Sequence, residues 1–147
     1  MMIDYDIESI KLDEGFEPKP YKCTADKLTI GYGLNLEEGI TKEEAEEILK
    51  LRLDANYKQL MCCEHGSVLD KIYYKKPYPH YCALINILSN MQYNLGLNGL
   101  LKFKNMWKAI EAHDFKAAAL EMKDSKWYNQ VGARAKRLVA RMDALGN

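Results

Sequence analysis

The stretch Leu28-Thr29-Ile30-Gly31-Tyr32-Gly33 decides the fold class, because apolar residues alternate in it with small or polar ones. This period of two is typical of a β-strand with one face buried. Its apolar side chains would share one face, and Thr29 would lie with the glycines on the other. Tyr21-Lys22-Cys23 is a second short extended segment, and Ala25-Asp26 can form the turn between the two. The sequence therefore predicts a small antiparallel sheet.

A helix is predicted just before this sheet, over residues 4–14. Ile3, Ile7 and Ile10 recur at helical spacing, and Glu14 continues the same stripe. Gly15 then ends the helix. A carboxyl group at the end of an apolar stripe should face the core, where burial favours its protonated form. Such a group can donate a proton to a leaving oxygen.

The rest of the chain reads as helices, so the predicted fold class is α+β, mostly helical with one small N-terminal sheet. Thr41 and Glu44 have the spacing of a capping box, and Asp114 is a candidate helix cap. Gly96 is expected to end a buried helix. Residues 61–80 fit no single pattern. We expect one domain over residues 1–147, with two lobes: residues 14–57 with the sheet, and residues 58–147 with the N-terminal helix.

Charge and hydropathy narrow the possible partners. The 147 residues include 21 basic and 21 acidic ones, and this zero net charge argues against a strongly basic nucleic-acid binder. No apolar run approaches the roughly 20 residues of a membrane helix, so stable membrane insertion is not expected. The acidic start Met1-Met2-Ile3-Asp4 does not resemble a signal peptide. A cytoplasmic protein, or one exported by other means, is the expectation.

The cysteines predict neither a disulfide framework nor a metal centre. Cys62 and Cys63 are adjacent, and Cys23 and Cys82 stand alone. Cys62, Cys63 and His65 could hold a metal ion, but no second ligand cluster accompanies them. We therefore expect free thiols, no metal and no cofactor.

Three residues near the sheet form the candidate catalytic centre. Eight residues separate Glu14 from Cys23, and five separate Cys23 from Thr29. The glycines on the Thr29 face would let a flat ligand approach the backbone. The pattern indicates a cleft whose floor is a β-hairpin, with a carboxylic acid on the neighbouring helix. Glycoside hydrolysis requires such an acid.

These residues lie in a chain that resembles the bacteriophage lysozymes of glycoside hydrolase family 24. The resemblance extends in family order over nearly the whole chain, with residues 54–80 unmatched. The segments that carry it are Asp13-Glu14-Gly15-Phe16 with Tyr21, Leu28 to Gly33, Gly39 to Glu46, Cys82-Ala83-Leu84-Ile85-Asn86, Ser125 to Gln130, and Arg134-Ala135-Lys136-Arg137.

The resemblance implies roles for the three central residues. The family pattern is Glu, eight residues, Asp or Cys, five residues, Thr. Glu14 would be the general acid, Cys23 the second catalytic group, and Thr29 would help to place the attacking water or the substrate. Cys23 departs from the commoner Asp. Because a thiol is mostly neutral near pH 7, it needs a lowered pKa or acts as a nucleophile that forms a thioglycoside. Retention or inversion of the anomeric configuration stays open.

The resemblance also suggests five substrate-binding residues: Tyr32, Gly33, Asn94, Trp127 and Arg134. Arg134 would reach towards Glu14 and orient it, although a solvated surface arginine is the alternative. Trp127 and Tyr32 could pack on sugar faces, but core packing equally accounts for Trp127. Leu34 stands where relatives often have a polar residue, commonly His, so one possible ion pair is lost.

By resemblance, the activity is that of a muramidase that cleaves the β-1,4 bond between N-acetylmuramic acid and N-acetylglucosamine in peptidoglycan. The protein would act as a monomeric phage endolysin. It would wait in the host cytoplasm until a holin releases it to the cell wall or periplasm. Its zero net charge predicts a modest salt dependence.

Four other interpretations fit parts of the sequence. A lytic transglycosylase would cleave the same bond with one acid and no water. A cysteine peptidase or amidase would need His65, His80 or His113 as the base, and none lies in a recognisable motif. A non-catalytic wall-binding module and a bacteriocin-type toxin domain are the remaining alternatives.

Overall fold

The computed structural model describes residues 3–147. Met1 and Met2 lie outside the described residues. They begin the acidic segment that, from the sequence, does not resemble a signal peptide. The chain divides into two compact units, and we call residues 1–48 unit 1 and residues 49–147 unit 2. The described residues form eight α-helices and one three-stranded antiparallel sheet, which confirms the predicted α+β class.

Unit 1 begins with helix α1 (Ile7–Glu14), which is shorter than the predicted 4–14. Asp6 sets its start, since the Asp6 side chain accepts a hydrogen bond from the Ser9 N–H at 3.1 Å. Gly15 ends it with φ of 69°, a left-handed conformation that glycine adopts without strain.

The sheet of unit 1 has the order β1-β2-β3, with β1 at Glu17–Lys22, β2 at Leu28–Gly31 and β3 at Leu34–Asn35. The predicted single strand over 28–33 is therefore confirmed over residues 28–31 and wrong at its last two residues. Tyr32 and Gly33 form a turn instead, because the chain takes φ of 66° at Gly31 and 75° at Gly33. These values are incompatible with continued extended backbone. Thr29 in β2 pairs with Tyr21 on one side and Asn35 on the other.

A 3₁₀ turn (Leu36–Glu38) leads to α2 (Lys42–Cys62), whose start confirms the predicted capping box. The Glu44 N–H donates to Thr41 Oγ1 at 3.1 Å, and the Thr41 N–H donates to Glu44 Oε2 at 2.7 Å. The ambiguous residues 61–80 prove to be mostly helical. They hold the end of α2, the helix α3 (Gly66–Lys75) and the first turn of α4.

Unit 2 packs helices around one apolar core. After α3 come α4 (Tyr78–Leu101), α5 (Lys104–Glu111), α6 (Phe115–Lys123), α7 (Lys126–Val131) and α8 (Ala133–Ala144). Gly96, where a helix end was predicted, interrupts α4 with φ of 71°, and a further short helical piece follows it. The largest fully buried side chains are Trp107, Phe115, Leu60, Leu69, Ile72, Leu84, Ile87, Leu88, Met91, Leu100, Met106 and Ile110.

Side-chain caps fix the ends of the shorter helices. Asp114 accepts from the Ala117 N–H at 2.9 Å, which confirms the cap predicted for α6. Ser125 accepts from the Tyr128 N–H at 3.2 Å at the start of α7. Within residues 3–147, no helix has the length and apolar character needed to cross a membrane.

Candidate active site

Glu14 lies at the end of α1, with its carboxyl group directly against the backbone of Gly33. A Cβ atom built on Gly33 would overlap Glu14 Oε2 and would lie 2.9 Å from Glu14 Cδ. Gly33 also has a positive φ, which an L side chain rarely adopts. A side chain at this position is therefore disfavoured twice, and its absence lets the turn after β2 support the carboxyl group.

The position of Glu14 differs from the prediction in one respect. The apolar stripe of α1 was expected to face the core and to bury this carboxyl group. In the structure Glu14 is exposed, and α1 has no buried residue. The contact with Gly33, rather than burial in an apolar core, is what places the carboxyl group.

Cys23 follows β1 and begins a tight turn. Its N–H donates to the Lys27 carbonyl at 3.0 Å, and its carbonyl accepts from the Asp26 N–H at 2.9 Å. Backbone N–H groups of Lys27 and Ala25, and then the Thr29 hydroxyl, stabilise the thiolate and hold the pKa of Cys23 below its usual range. The turn thus favours the thiolate form of Cys23.

Thr29 is buried in the middle of the sheet, with 4% of its surface exposed. Its hydroxyl donates to the Lys27 carbonyl at 2.9 Å. The nearby Thr29 hydroxyl also contributes, after the backbone groups of Lys27 and Ala25, to the lowered pKa of Cys23.

Tyr32 projects from the turn that precedes Gly33 and is half exposed. Its ring lies 5.3 Å from that of Phe16, and Lys11 Nζ stands 5.9 Å from its centre. The exposure of the ring is compatible with packing on a sugar face, and this role of Tyr32 stays a prediction.

In unit 2, two predicted binding residues meet each other. Trp127 Nε1 donates to Asn94 Oδ1 at 2.9 Å. Trp127 is only 4% exposed and packs edge-on against Phe103, with ring centres 5.9 Å apart. The core-packing alternative for Trp127 therefore describes most of its surface, while Asn94 remains exposed.

Arg134, on α8, is half-buried and is held by α4. Its Nε donates to Asn90 Oδ1 at 2.7 Å, and its Nη2 donates to the Asn90 carbonyl at 2.9 Å. These two bonds show that Arg134 is more than a solvated surface cation. Asn90 was not predicted, although its position one helical turn before Asn94 was a signal in the sequence.

A cavity of about 600 Å³ in unit 2 was also missed by the sequence analysis. Trp127 and Phe103 contribute its apolar wall, and its rim carries both charge signs. Its residues come from α4 to α7, so only the helix packing reveals it. The lining residues are Leu95, Gly99, Lys102, Phe103, Lys104, Asn105, Met106, Glu121, Ser125, Lys126, Trp127 and Gln130.

The remaining reactive side chains form no second centre in the described part of the chain. All four cysteines are free thiols, and no group of three or more metal-ligating side chains occurs among residues 3–147. His65 stacks on Trp107 with ring centres 4.1 Å apart, and His80 and His113 both contact Phe115 edge-on.

A carboxyl group against a glycine turn, beside a small sheet in a mostly helical protein, fits the lysozyme class of glycoside hydrolases. Comparison with known proteins agrees with this class. The Phage lysozyme family model matches residues 11–144, so the chain belongs to the phage lysozyme family. The protein is therefore a lysozyme, and peptidoglycan is its class of substrate.

Two curated relatives come from Dictyostelium discoideum. This chain is 29% identical to "Probable T4-type lysozyme 1" and 27% identical to "Probable T4-type lysozyme 2". Each alignment covers 90% of this chain and 90% of the relative. The similarity thus extends over both units rather than the sheet region alone.

Proposed function

We propose that this lysozyme is an endo-acting muramidase that cleaves the β-1,4 bond between N-acetylmuramic acid and N-acetylglucosamine. The observation that carries the proposal is the contact between the Glu14 carboxyl group and the Gly33 backbone. It sets a proton donor beside the sheet whose turn bears Cys23 and whose central strand bears Thr29. Glycoside hydrolysis needs such a donor and a second catalytic group.

In the proposed reaction, Glu14 donates its proton to the glycosidic oxygen as the bond from that oxygen to the sugar C1 breaks. Cys23 acts as a thiolate, which its hydrogen bonds to Lys27, Ala25 and Thr29 favour. The thiolate either accepts a proton from the attacking water or attacks C1 itself and forms a thioglycoside that water then hydrolyses. The first route inverts the anomeric configuration and the second retains it, so the product anomer separates them.

Five residues are proposed to bind the glycan strand. Tyr32 offers an exposed ring, and Gly33 lies against the Glu14 carboxyl group that would face the bound sugar. Asn94 and Arg134 supply polar groups, and the indole N–H of Trp127 holds the Asn94 side chain in place.

The central experiment measures muropeptide release from purified peptidoglycan by wild type, Glu14→Gln and Cys23→Ser. We expect wild type to release fragments with reducing N-acetylmuramic acid ends, and both variants to lose most activity. Products with 1,6-anhydro ends, together with an active Cys23→Ser variant, would establish the transglycosylase reaction instead. An inactive wild type, folded by circular dichroism, would refute the proposed function.

We further propose that the protein acts as a monomeric phage endolysin, held in the host cytoplasm until a holin opens the membrane. Family membership supports this role, although the two relatives from Dictyostelium discoideum are not phage proteins. Expression in bacteria with and without a holin tests it. Lysis that requires the holin supports the endolysin role, whereas lysis without one contradicts it.

A further inference from the structure

Asn90 presents two hydrogen-bond acceptors to one edge of the Arg134 guanidinium. The side-chain Oδ1 accepts from Nε at 2.7 Å, and the main-chain carbonyl accepts from Nη2 at 2.9 Å. Two bonds from one residue fix the plane of the guanidinium as well as its position. Because Asn90 lies inside α4, both acceptors are carried by a regular helix rather than a mobile loop.

Asn90 holds Arg134 without neutralising it. Within residues 3–147, Arg134 forms no ion pair with an acidic side chain. A guanidinium has five N–H donors, and Asn90 uses two of them. The remaining donors and the full positive charge stay available to an anionic or carbonyl oxygen. An aspartate at this position would have kept the geometry but cancelled the charge.

The same helix face repeats this arrangement one turn later. Asn94 lies four residues after Asn90, and its Oδ1 accepts the indole N–H of Trp127 from α7. The two asparagines thus hold one side chain each from α7 and α8 through neutral amide oxygens. This face of α4 therefore holds one side chain of α7 and one of α8.

We propose that Asn90 is a positioning residue that orients Arg134 for contact with peptidoglycan. The inference rests on the proposed function, in which Arg134 serves substrate binding. Asn90 itself touches no substrate, and it acts only through the arginine.

The test compares Asn90→Ala and Asn90→Asp with Asn86→Ala and Asn86→Asp. Asn86 lies one turn earlier on α4 and is exposed, so these controls make the same chemical changes away from Arg134. Rates are measured on purified peptidoglycan over a range of concentrations. We expect Asn90→Ala to lose about tenfold in kcat/KM, the effect of one lost charge-assisted bond, and Asn90→Asp to lower kcat/KM because it keeps the bond but neutralises the Arg134 charge. The Asn86 variants should stay near wild type. Alanine favours helix, so α4 should persist, and melting curves check this.

A double-mutant cycle with Arg134→Ala separates positioning from a general structural effect. If Asn90 acts through the arginine, Asn90→Ala adds no further loss in the Arg134→Ala background. It should also change apparent KM and kcat in the same proportion as Arg134→Ala does. Wild-type rates in both Asn90 variants, or an equal loss with and without Arg134, overturn the inference. An inactive wild type refutes the proposed function instead, so the two failures are distinguishable.

Discussion

At the scale of single residues, the contact between Gly33 and Glu14 gives the sharpest prediction. Gly33→Ala should lower activity at least tenfold, because the new methyl group would displace the Glu14 carboxyl group. The positive φ of 75° should also cost about 1–2 kcal/mol of stability. Muropeptide release and thermal unfolding measure the two effects.

Gly31→Ala is the matched control for this change. Gly31 has a similar φ of 66°, but a Cβ atom there would meet no atom within 4 Å. The two variants should therefore lose similar stability, while only Gly33→Ala loses most of its activity. Equal activity in the two would mean that the contact with Glu14 has no role in catalysis.

The second prediction at this scale concerns the Cys23 thiolate. If the reaction needs the thiolate, activity falls as the pH drops through the pKa of Cys23, because protonation removes the charge. Its hydrogen bonds place that pKa below the usual range for a thiol. Cys23→Asp should remain active, and its acidic limb should lie at a still lower pH, since a carboxylic acid ionises more readily than a thiol.

The measurement is the pH–rate profile of wild type and Cys23→Asp on the same peptidoglycan. Cys23→Ser serves as the control, because a serine hydroxyl does not ionise in the working range. An acidic limb that stays at the same pH in wild type and Cys23→Asp would assign it to another group and remove Cys23 from the mechanism.

At the scale of elements, one serine stabilises the start of α7, the helix that carries Trp127. Ser125 accepts from the Tyr128 N–H at 3.2 Å and donates to the Met122 carbonyl at 2.6 Å, which ties α7 to α6. Ser125→Ala should destabilise the protein by about 1 kcal/mol. It should also make the packing around the Trp127 indole less uniform, and tryptophan fluorescence measures this change.

Ser67→Ala is the control, because Ser67 is exposed near the start of α3 and its side chain caps no helix end. Equal unfolding midpoints for Ser125→Ala and wild type would show that the cap contributes nothing.

The start of α4 should make stability depend on pH. Burial, and then the nearby charges of Lys76 and His113, lower the pKa of His80, and its Nε2 is buried without a described hydrogen-bond partner. Because the pKa of this histidine is lowered in the folded state, its contribution to stability is complete when the pH lies above the ordinary histidine pKa. Stability is lost as the pH falls below about 6.5, because the unfolded chain then binds the proton first.

Melting temperatures at pH 7.5 and pH 5 test this dependence. On going from pH 7.5 to pH 5, the melting temperature of wild type should fall several degrees more than that of His80→Leu, whose side chain cannot titrate. The fall for Lys76→Met should lie between these two. His113 faces the same phenylalanine and stays unchanged in all three proteins. An equal loss in wild type and His80→Leu would exclude His80 as the group responsible.

Local patterns predicted most of the fold, because their causes lie within a few residues. The capping box at Thr41, the cap at Asp114 and the break at Gly96 are all confirmed. The strand over 28–33 failed at its last two residues, since the alternation of residue types carries no information on φ. The positive values at Gly31 and Gly33 turn the chain there.

The residue identities of the candidate site stay a prediction from the sequence, and the structure adds the contacts that the sequence did not show. The order of residues indicated Glu14, Cys23 and Thr29, whereas the exposure of Glu14 and the burial of Thr29 depend on packing. Asn90 escaped prediction because its partner Arg134 is 44 residues away in the chain. The cavity beside Trp127 was missed for the same reason, since distant helices build it.

At the scale of the whole molecule, the zero net charge conceals a division between the units. Residues 1–48 hold 13 acidic and 5 basic residues, a formal charge of −8. Residues 49–147 hold 8 acidic and 16 basic residues, a formal charge of +8. An anionic wall would therefore attract unit 2 even though the total charge is zero. This division predicts a stronger salt dependence of wall binding than the total charge does.

Arg137 and Arg141 are exposed, lie four residues apart on α8, and offer the test. Arg137→Gln with Arg141→Gln should weaken binding to purified peptidoglycan several-fold at low salt, and the difference should shrink near 1 M salt, where screening shortens to about 3 Å. Binding is measured by pelleting, with Glu14→Gln in every protein to prevent digestion. Lys19→Gln with Lys42→Gln lowers the total charge equally but lies in unit 1, so it should bind like its parent. Equal weakening by both pairs would mean that total charge, and not its division, governs binding.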